Sequence, residues 1–366
     1  AAQLDFKELS LFEHLEQAID AKVSNLELLP QLKGDSLYYR RKARLTVRVV
    51  KKKGGALVGF REKYGSFITD MKSCHVLVKE VADLIPSLRT LITELEGRQV
   101  IPQIEVAVGE YKDQDNLREN SQALNKVALV IRHLKPLSKT DLQTLCDFAQ
   151  EWSIELYLQP KSIESVHKIH PKQTVERLQY FLADFDLALN FHPMDFVQVN
   201  ADINRQLVKR AIRLLDLNKE DRVLDLFCGL GNFTLAIARY CREVVGVEGN
   251  DEMVKRGKEN ALLNNISNAK FYRENLSKNI ENKPWLSLHF SKVLIDPPRS
   301  GAIEILKQIA NLQAERIIYI SCNLVTLARD TALLVAEGYR LKSCGVVDMF
   351  PHTAHVESMV QFELVD

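Results

Sequence analysis

Three reactive side chains in the C-terminal half of the chain each stand where an apolar, strand-like run stops or starts. Asp296 follows one such run and opens the stretch Asp-Pro-Pro-Arg-Ser-Gly, Cys322 follows another, and Glu357 precedes the last. A thiol can act as a nucleophile and a carboxylate as a base, so the set suits covalent catalysis. Taken singly, a cysteine after an apolar strand is more often a core residue. The position of Cys322 beside the Asp296 corner favours the chemical role.

The turn that carries Glu357 also holds His352 and His355, which raises the alternative of a metal site. The spacing His-x-x-His-x-Glu matches no usual zinc pattern. The preferred interpretation is that Glu357 is a base and that the two histidines order the loop. For each of these residues taken individually, the alternative is that it belongs to an ordinary polar loop before an edge strand.

A glycine-containing turn after residue 227 indicates where a cofactor binds. The apolar strand 222–227 runs into Gly229-Leu230-Gly231 and then into a helix, and glycine lets a ligand approach the backbone closely. Glu248 ends the next predicted strand, where its carboxylate can accept both hydroxyl groups of a ribose. This layout places a nucleoside at the switch point of an open parallel sheet.

The same turn favours S-adenosylmethionine over a dinucleotide. Thr234 stands where the third glycine of the dinucleotide fingerprint belongs. Asp225, inside the strand, would sit badly beside a pyrophosphate but well beside the ammonium group of an amino acid. S-adenosylmethionine carries that ammonium group and a sulfonium, and it has no phosphate. The sequence therefore predicts this cofactor, with an ordinary tight turn as the alternative.

A thiol, a base and a methyl donor together suit methylation of the 5-carbon of uracil. Addition of the Cys322 thiolate to the 6-carbon turns the ring into an enolate that takes a methyl group, and a base then removes the 5-proton so that elimination frees the cysteine. Arg299 is the candidate cation for the oxygen that collects negative charge. Cys228 is the competing thiol, but it lies inside the cofactor turn. A uracil must leave its stack to reach such a pocket, so RNA is the predicted substrate.

The elements expected to position these residues form an α/β chain of two domains. From residue 204 helices and strands alternate with short turns, which is typical of a doubly wound, Rossmann-like parallel sheet. Its predicted strands are 222–227, 243–248, 269–272, 292–295 and 316–321, with a two-strand finish over 340–365. A smaller α/β domain precedes it and opens with a helix over 4–23, whose Leu9, Phe12 and Leu15 are helically spaced. We predict domains 1–184 and 185–366, with the boundary near Asp184.

The charge of the chain is balanced in total but unevenly distributed. The 366 residues carry a formal charge of +1, yet residues 31–64 hold eleven basic and two acidic residues, so this basic strip carries +9 and the remainder −8. A strongly basic strip indicates an anionic partner such as RNA. Charge alone also fits a strand pair whose lysines protect a sheet edge. The predicted RNA contacts are Arg40, Arg41, Arg44, Arg61 and, in the second domain, Arg299.

Composition excludes several classes of protein. The hydrophobic share of 46% and the charged share of 27% are globular averages, which argues against disordered and low-complexity chains. No apolar stretch approaches the roughly 20 residues of a membrane span. Six scattered cysteines indicate reduced thiols. We therefore expect a cytoplasmic, monomeric protein with no membrane partner.

Seven motifs of the chain resemble the RNA uracil-5-methyltransferase family, in particular its bacterial 23S rRNA (uracil-5-)-methyltransferases. The motifs are 39–45, 59–61, 195–200, 225–232, 296–301, 321–323 and 350–359. The resemblance covers nearly the whole chain, and the last three motifs, in this order, are highly specific. It implies a cofactor set around S-adenosylmethionine, with Cys322 as the nucleophile and Glu357 as the base. That cofactor set is Gln198, Phe227, Asn232, Glu248, Asn275 and Asp296.

The chain departs from the pattern of the rRNA enzymes in two ways. Those enzymes usually begin with a small β-barrel RNA-binding domain, which this chain lacks. They also hold a [4Fe–4S] cluster on four cysteines, of which only Cys74 has a match here. One thiol cannot hold a cluster, so we expect that either the N-terminus is missing from this chain or the cluster is absent. A plain, partly buried thiol is the alternative for Cys74.

Our first hypothesis is a methyltransferase acting on a uridine of 23S rRNA. A tRNA uracil-5-methyltransferase, which shares the core motifs, is the nearest alternative. A non-catalytic RNA-binding module is the alternative from another class, and the complete set of Cys322, Glu357 and Asp296 argues against it. A DNA cytosine-5-methyltransferase would carry its cysteine in a Pro-Cys loop after the fourth strand, where this chain has Asp-Pro-Pro.

Overall fold

The computed structural model describes residues 2–19, 26–62, 65, 67–111, 124–172, 177–278, 280 and 283–365. Its α-helices are α1 (Ala2–Ile19), α2 (Lys79–Glu94), α3 (Lys139–Glu151), α4 (Ala201–Leu215), α5 (Thr234–Ala238), α6 (Asp251–Leu263), α7 (Ile303–Ala310) and α8 (Leu324–Ala336). Its strands are β1 (Glu27–Leu28), β2 (Lys42–Val50), β3 (Gly55–Gly59), β4 (Gln103–Tyr111), β5 (Leu124–Arg132), β6 (Glu155–Gln159), β7 (His167–His170), β8 (Leu178–Leu182), β9 (Leu187–Phe191), β10 (Arg222–Leu226), β11 (Glu243–Glu248), β12 (Ala269–Arg273), β13 (Lys292–Ile295), β14 (Arg316–Ser321), β15 (Tyr339–Val347) and β16 (Glu357–Leu364). Among these described residues, no helix combines the length and the apolar character that a membrane crossing needs.

The chain divides into two compact units that are not continuous in sequence. The large unit comprises residues 1–34, 182–189 and 202–366, and the small unit comprises residues 35–181 and 190–201. This division differs from a single boundary near Asp184, because the start of the chain belongs with the C-terminal half.

The large unit is built on an eight-stranded sheet of order β1-β15-β16-β14-β13-β10-β11-β12. Strand β10 pairs in parallel with both β11 and β13, so the strand order reverses there and creates a switch point. Only β16 runs antiparallel to its neighbours in this described sheet. The apolar strand residues are buried on both faces, as in β13, where Val293, Leu294 and Ile295 are all inaccessible. The predicted doubly wound, Rossmann-like sheet is confirmed.

Helix α1 packs on this large-unit sheet. The face that joins the core is formed by Leu4, Leu11 and Leu15. Leu9, although it lies in the predicted helix, is 54% exposed and is not part of this face. Residues 20–23 of the predicted helix lie outside the described part of the chain. Helical periodicity therefore identified the helix but not its partner.

The small unit contains a six-stranded sheet of order β3-β2-β4-β5-β6-β7. The middle of the basic strip forms an antiparallel hairpin of β2 and β3. Leu45 and Val47 on β2 point into a core shared with helix α2, and the alternation of the strand leaves Arg44 and Arg48 exposed on the opposite face. The last two residues of the strip, Lys63 and Tyr64, lie outside the described residues.

Candidate active site

The register of β14 and β16 brings the predicted nucleophile and base together. Ser321 pairs with Ser358 in the last pairing of β14 with β16, and the same register continued by one residue sets Cys322 opposite Glu357. The two side chains are close enough for the charge of Glu357 to raise the pKa of the Cys322 thiol. Asp296 follows β13, which pairs in parallel with β14. The structure therefore gathers the three reactive groups at one edge of the large-unit sheet.

The three groups share a poorly solvated site, and the pKa of each is raised. Burial, together with the charges of Glu357 and Asp296 and against that of Arg299, raises the pKa of the Cys322 thiol to about 11. Burial, helped by Asp296, raises the pKa of Glu357 to about 8. Burial raises the pKa of Asp296 to about 7. The thiol is therefore protonated near pH 7.

The stretch from Asp296 to Gly301 is a rigid corner tied to the start of helix α8. The carbonyl of Arg299 accepts hydrogen bonds from Asn323 Nδ2 at 2.9 Å and Thr326 Oγ1 at 3.3 Å. Gly301 has φ +79°, and a Cβ there would come within 2.6 Å of Asp330. The exposed Arg299 side chain places Nη2 3.4 Å from Nδ1 of His355. The predicted cation therefore lies beside the loop that carries the base.

Asp330 supports this corner and was missed by sequence reasoning. Its carboxylate is inaccessible to solvent and accepts hydrogen bonds from the Ala302 N–H at 2.8 Å, the Tyr319 hydroxyl at 2.6 Å and Arg329 Nε at 2.8 Å. It connects β14, the corner and α8. The available signal was an aspartate in the largely apolar stretch 324–336, which indicates a buried carboxylate that must have partners.

The backbone of the cofactor turn enters the left-handed region at three residues. Phe227, Gly229 and Gly231 have φ values of +62°, +54° and +96°. The Glu248 carboxylate at the end of β11 accepts hydrogen bonds from the Gly229 N–H at 3.1 Å and the Asn250 N–H at 2.9 Å. A positive φ at the non-glycine Phe227 is costly, and such strain is concentrated at functional sites.

Asp225 carries the clearest sign of a missing cationic partner. It is fully buried, its Oδ2 accepts a hydrogen bond from Thr234 Oγ1 at 2.5 Å, and its Oδ1 has no partner among the described residues. Burial raises the pKa of this carboxyl to about 7. An uncompensated buried carboxylate at a switch point fits the ammonium group of S-adenosylmethionine.

Two asparagines of the predicted cofactor set differ in their surroundings. Asn232 exchanges two amide hydrogen bonds, at 2.9 and 3.0 Å, with Asn204 on α4, a nearly inaccessible residue that sequence reasoning missed. Asn275 is exposed after β12, and its Oδ1 accepts hydrogen bonds from the N–H and Oγ of Ser277 at 3.0 and 2.6 Å. Both lie at the carboxyl edge of the sheet, as the cofactor prediction requires.

Cys228 is a poor competitor for the role of nucleophile. The residue is buried inside the cofactor turn, and burial raises the pKa of its thiol well above the usual value, with Asp225 and Glu248 raising it further. Such a thiol is neither accessible nor ionised near neutral pH.

A predicted RNA contact must lie on the surface, but Arg41 of the small unit is buried. It is 3% exposed, its guanidinium stacks 4.5 Å from the centroid of the Tyr180 ring, and its Nε donates to the carbonyl of Gln198 at 2.8 Å. Lys42 similarly donates to the carbonyl of Asp195, and burial lowers the pKa of this lysine to about 8. Both side chains hold the segment that carries Gln198. A count of charges therefore wrongly placed Arg41 among the residues that contact RNA.

The other predicted contacts of the small unit have varied surroundings. Arg44 is 68% exposed and pairs with Glu105 at 2.5 Å, and Arg61 is also exposed. Arg40 is half-buried and donates to the carbonyl of Lys42 at 3.0 Å. Cys74 is half-buried against the core of the unit. Within the described residues, no group of three or more His, Cys, Asp or Glu side chains is placed to hold a metal ion.

Comparison with known proteins decides the family. The family model of the tRNA (Uracil-5-)-methyltransferases matches residues 121–364. The chain is 47% identical to the 23S rRNA (uracil(1939)-C(5))-methyltransferase of Hahella chejuensis, over 99% of this chain and 78% of that protein. The chain belongs to the tRNA (uracil-5-)-methyltransferase family. It is also 48% identical to the protein of the same description from Alcanivorax borkumensis, over 92% of this chain and 73% of that protein.

A solved structure shares the fold of this family member. The tRNA (uracil-54, C5)-methyltransferase of Pyrococcus abyssi, determined in complex with S-adenosyl-L-homocysteine, superposes with a TM-score of 0.69 at 22% identity, over 98% of this chain and 83% of that one. Family membership makes the chain an RNA (uracil-5-)-methyltransferase that uses S-adenosylmethionine. The predicted activity and cofactor are confirmed, which decides against a non-catalytic module.

Proposed function

We propose that this enzyme methylates the 5-carbon of one uridine in 23S rRNA, at the position equivalent to the uracil 1939 of its relatives. The observation that carries the proposal is the strand register that sets Cys322 opposite Glu357 beside Asp296. The identity of 47–48% to two rRNA enzymes supports the choice of RNA. We also propose that the chain acts as a monomer in the cytoplasm, where the six thiols stay reduced.

The first chemical step is addition of Cys322 to the 6-carbon of the target uracil. Because the pKa of the thiol is about 11, its proton passes to solvent water, which reaches the half-buried residue, as the carbon–sulfur bond forms. Arg299, whose charge lowers the pKa of that thiol, also favours the negative charge that moves onto the ring oxygen. The product is an enolate bound to the protein through Cys322.

Bound S-adenosylmethionine supplies the methyl group for the 5-carbon, and Asp225 and Glu248 are placed to hold its ammonium and ribose groups. The protein then removes the 5-proton. Glu357 accepts it, the electron pair of that carbon–hydrogen bond forms the ring double bond, and the bond to Cys322 breaks. Because the pKa of Glu357 is about 8, its carboxylate is a stronger base than an exposed one, and turnover rises with pH until it is ionised.

RNA binding is proposed for the outer face of the β2–β3 hairpin. Arg44, Arg48, Lys51–Lys53 and Arg61 are exposed there, so their charges can neutralise phosphates. Arg41 is left out of this surface because it is buried.

The remaining alternative is a tRNA substrate, which the description of the matching family model favours. Transfer of labelled methyl from S-adenosylmethionine to a 23S rRNA fragment and to tRNA, in parallel, distinguishes the two. We expect label in the rRNA fragment, at a single uridine. Label confined to tRNA would refute the choice of RNA.

The same assay tests the covalent mechanism. Cys322→Ala should abolish methyl transfer, whereas Cys146→Ala, a half-buried thiol of the small unit, should retain it. Glu357→Gln should accumulate a protein–RNA adduct that survives denaturation, because methylation precedes the proton removal that releases Cys322. Normal turnover by the Cys322→Ala enzyme would exclude this mechanism.

A further inference from the structure

The loop that leads to the proposed base is anchored by a buried lysine from the other end of the chain. Residues 348–356 connect β15 to β16, and the loop 348–355 ends two positions before Glu357. Lys7 on α1 is 2% exposed, and its Nζ donates to Oδ1 of Asp348 at 2.9 Å and to the carbonyl of Phe350 at 3.1 Å. Burying an ammonium group is costly, so a lysine in the apolar face of a helix is retained where its partners need it.

A second α1 side chain holds the next part of the same loop. Gln3 accepts a hydrogen bond from the His352 N–H at 3.2 Å and donates to the carbonyl of Thr353 at 3.0 Å. His352 has φ +64°, a conformation that a non-glycine residue keeps only when its surroundings impose it. Lys7 and Gln3 together contact four of the six residues from 348 to 353.

The anchored loop in turn contacts the reactive groups. The Phe350 ring packs against the His355 ring with centroids 5.7 Å apart, and His355 Nδ1 lies 3.4 Å from Arg299 Nη2. Glu357 follows two residues later and raises the pKa of Cys322 through its charge. A displacement of the Phe350 backbone would therefore be passed to His355 and to the start of β16.

We propose that Lys7 is a positioning residue, through which helix α1 holds the 348–355 loop so that Glu357 stays opposite Cys322. The inference rests on the proposed function of Glu357 as the base. Helix α1 is then a part of the catalytic apparatus, although it is the first helix of the chain and contributes no reacting group.

The test uses Lys7→Met, which keeps the aliphatic stem and removes the charge. Glu13→Gln, on the exposed side of the same helix, is the matched control. We expect Lys7→Met to lower kcat at least tenfold, to leave the KM for S-adenosylmethionine unchanged, and to accumulate the covalent RNA adduct during turnover, because proton removal becomes slow. Amide hydrogen exchange of residues 349–355 should accelerate in Lys7→Met and not in Glu13→Gln.

Asp348→Asn should reproduce these effects, and the double variant should be no worse than either single one, because both remove the same ion pair. Wild-type kcat in a folded Lys7→Met enzyme, or an unchanged exchange rate in the loop, would overturn the inference. A parallel loss of turnover and cofactor binding without adduct would also overturn it, since it indicates general unfolding. A wild-type chain that methylates no uridine would refute the proposed function instead, and loop exchange would still decide whether Lys7 holds the loop.

Discussion

The buried carboxylates of the two units have contrasting surroundings. In the small unit, Glu155 forms an ion pair with the buried Lys168 at 3.0 Å and accepts the Tyr157 hydroxyl at 2.9 Å. In the large unit, Asp225 keeps one oxygen without a partner among the described residues, and the pKa of Glu357 is raised to about 8 by burial. A compensated carboxylate serves the fold, whereas an uncompensated one costs stability and marks a place where a ligand or a proton is expected.

The comparison also separates two kinds of buried carboxylate within the large unit. Asp330 has three donors and supports the corner that begins at Asp296. Asp296 itself, at the sheet edge, has its pKa raised to about 7. A fully partnered carboxylate thus supports the corner that carries a reactive one, which is the arrangement that keeps a reactive site in one geometry.

The same substitution in each unit should give opposite results, and this is the largest effect we expect. Glu155→Gln breaks a buried ion pair and should lower the free energy of unfolding by about 3–5 kcal/mol, while folded molecules keep their turnover. Glu357→Gln should abolish turnover with little loss of stability, because a neutral amide replaces a poorly compensated carboxyl. Denaturant unfolding and methyl transfer measure the two effects. Equal destabilisation by both substitutions would break the distinction.

Asp225→Asn should have the next largest effect, a loss of affinity for the cofactor. Loss of a charge-assisted contact to the ammonium group should weaken S-adenosylmethionine binding roughly 10- to 100-fold by calorimetry. Burial raises the pKa of Asp225 from 3.8 to about 7, so the folded chain binds the carboxyl proton more tightly than the unfolded chain. The stability that this bound proton contributes is therefore lost as the pH rises from about 4 through 7. The variant should lack that part of the pH dependence, whereas Asp251→Asn, on the exposed start of α6, should retain it. Wild-type cofactor affinity in Asp225→Asn would contradict the assignment.

The smallest effect should come from the exposed arginines of the hairpin. Neutralising Arg44 and Arg48 to Gln should weaken RNA binding several-fold and reduce the slope of log K against log salt by at most about 2, since each phosphate contact contributes about 0.7–0.9. Cofactor affinity should not change. Arg41→Gln should instead lower stability, because it removes a buried contact with Tyr180 and Gln198. An unchanged salt slope in the Arg44 and Arg48 variant would show that this face does not bind RNA.

The features that sequence predicted well are those with local causes. Apolar runs, Gly229 and Gly231 in the cofactor turn, and the Pro-Pro after Asp296 each determine the backbone within a few residues. The strands of the large unit and the positions of Cys322 and Glu357 at one sheet edge followed from these signals, once the sheet was taken to be doubly wound.

The features that sequence missed depend on partners far along the chain. Lys7 is 341 residues from Asp348, and Asn204 is 28 residues from Asn232, so no local pattern pairs them. Arg41 was predicted on the surface because a count of charges carries no information on burial. The domain boundary failed for the same reason, since α1 precedes the small unit in sequence but packs on the large one.

The antiparallel strand β16 also fixes when activity can arise during synthesis. It lies between β14 and β15 and is the last strand of the described chain to leave the ribosome. Until residues 357–364 have emerged, the sheet has a gap between those two strands, and Cys322 has no Glu357 opposite it. A chain whose synthesis stops before residue 357 therefore carries Cys322 without Glu357, and under the proposed mechanism it lacks the base that releases the RNA.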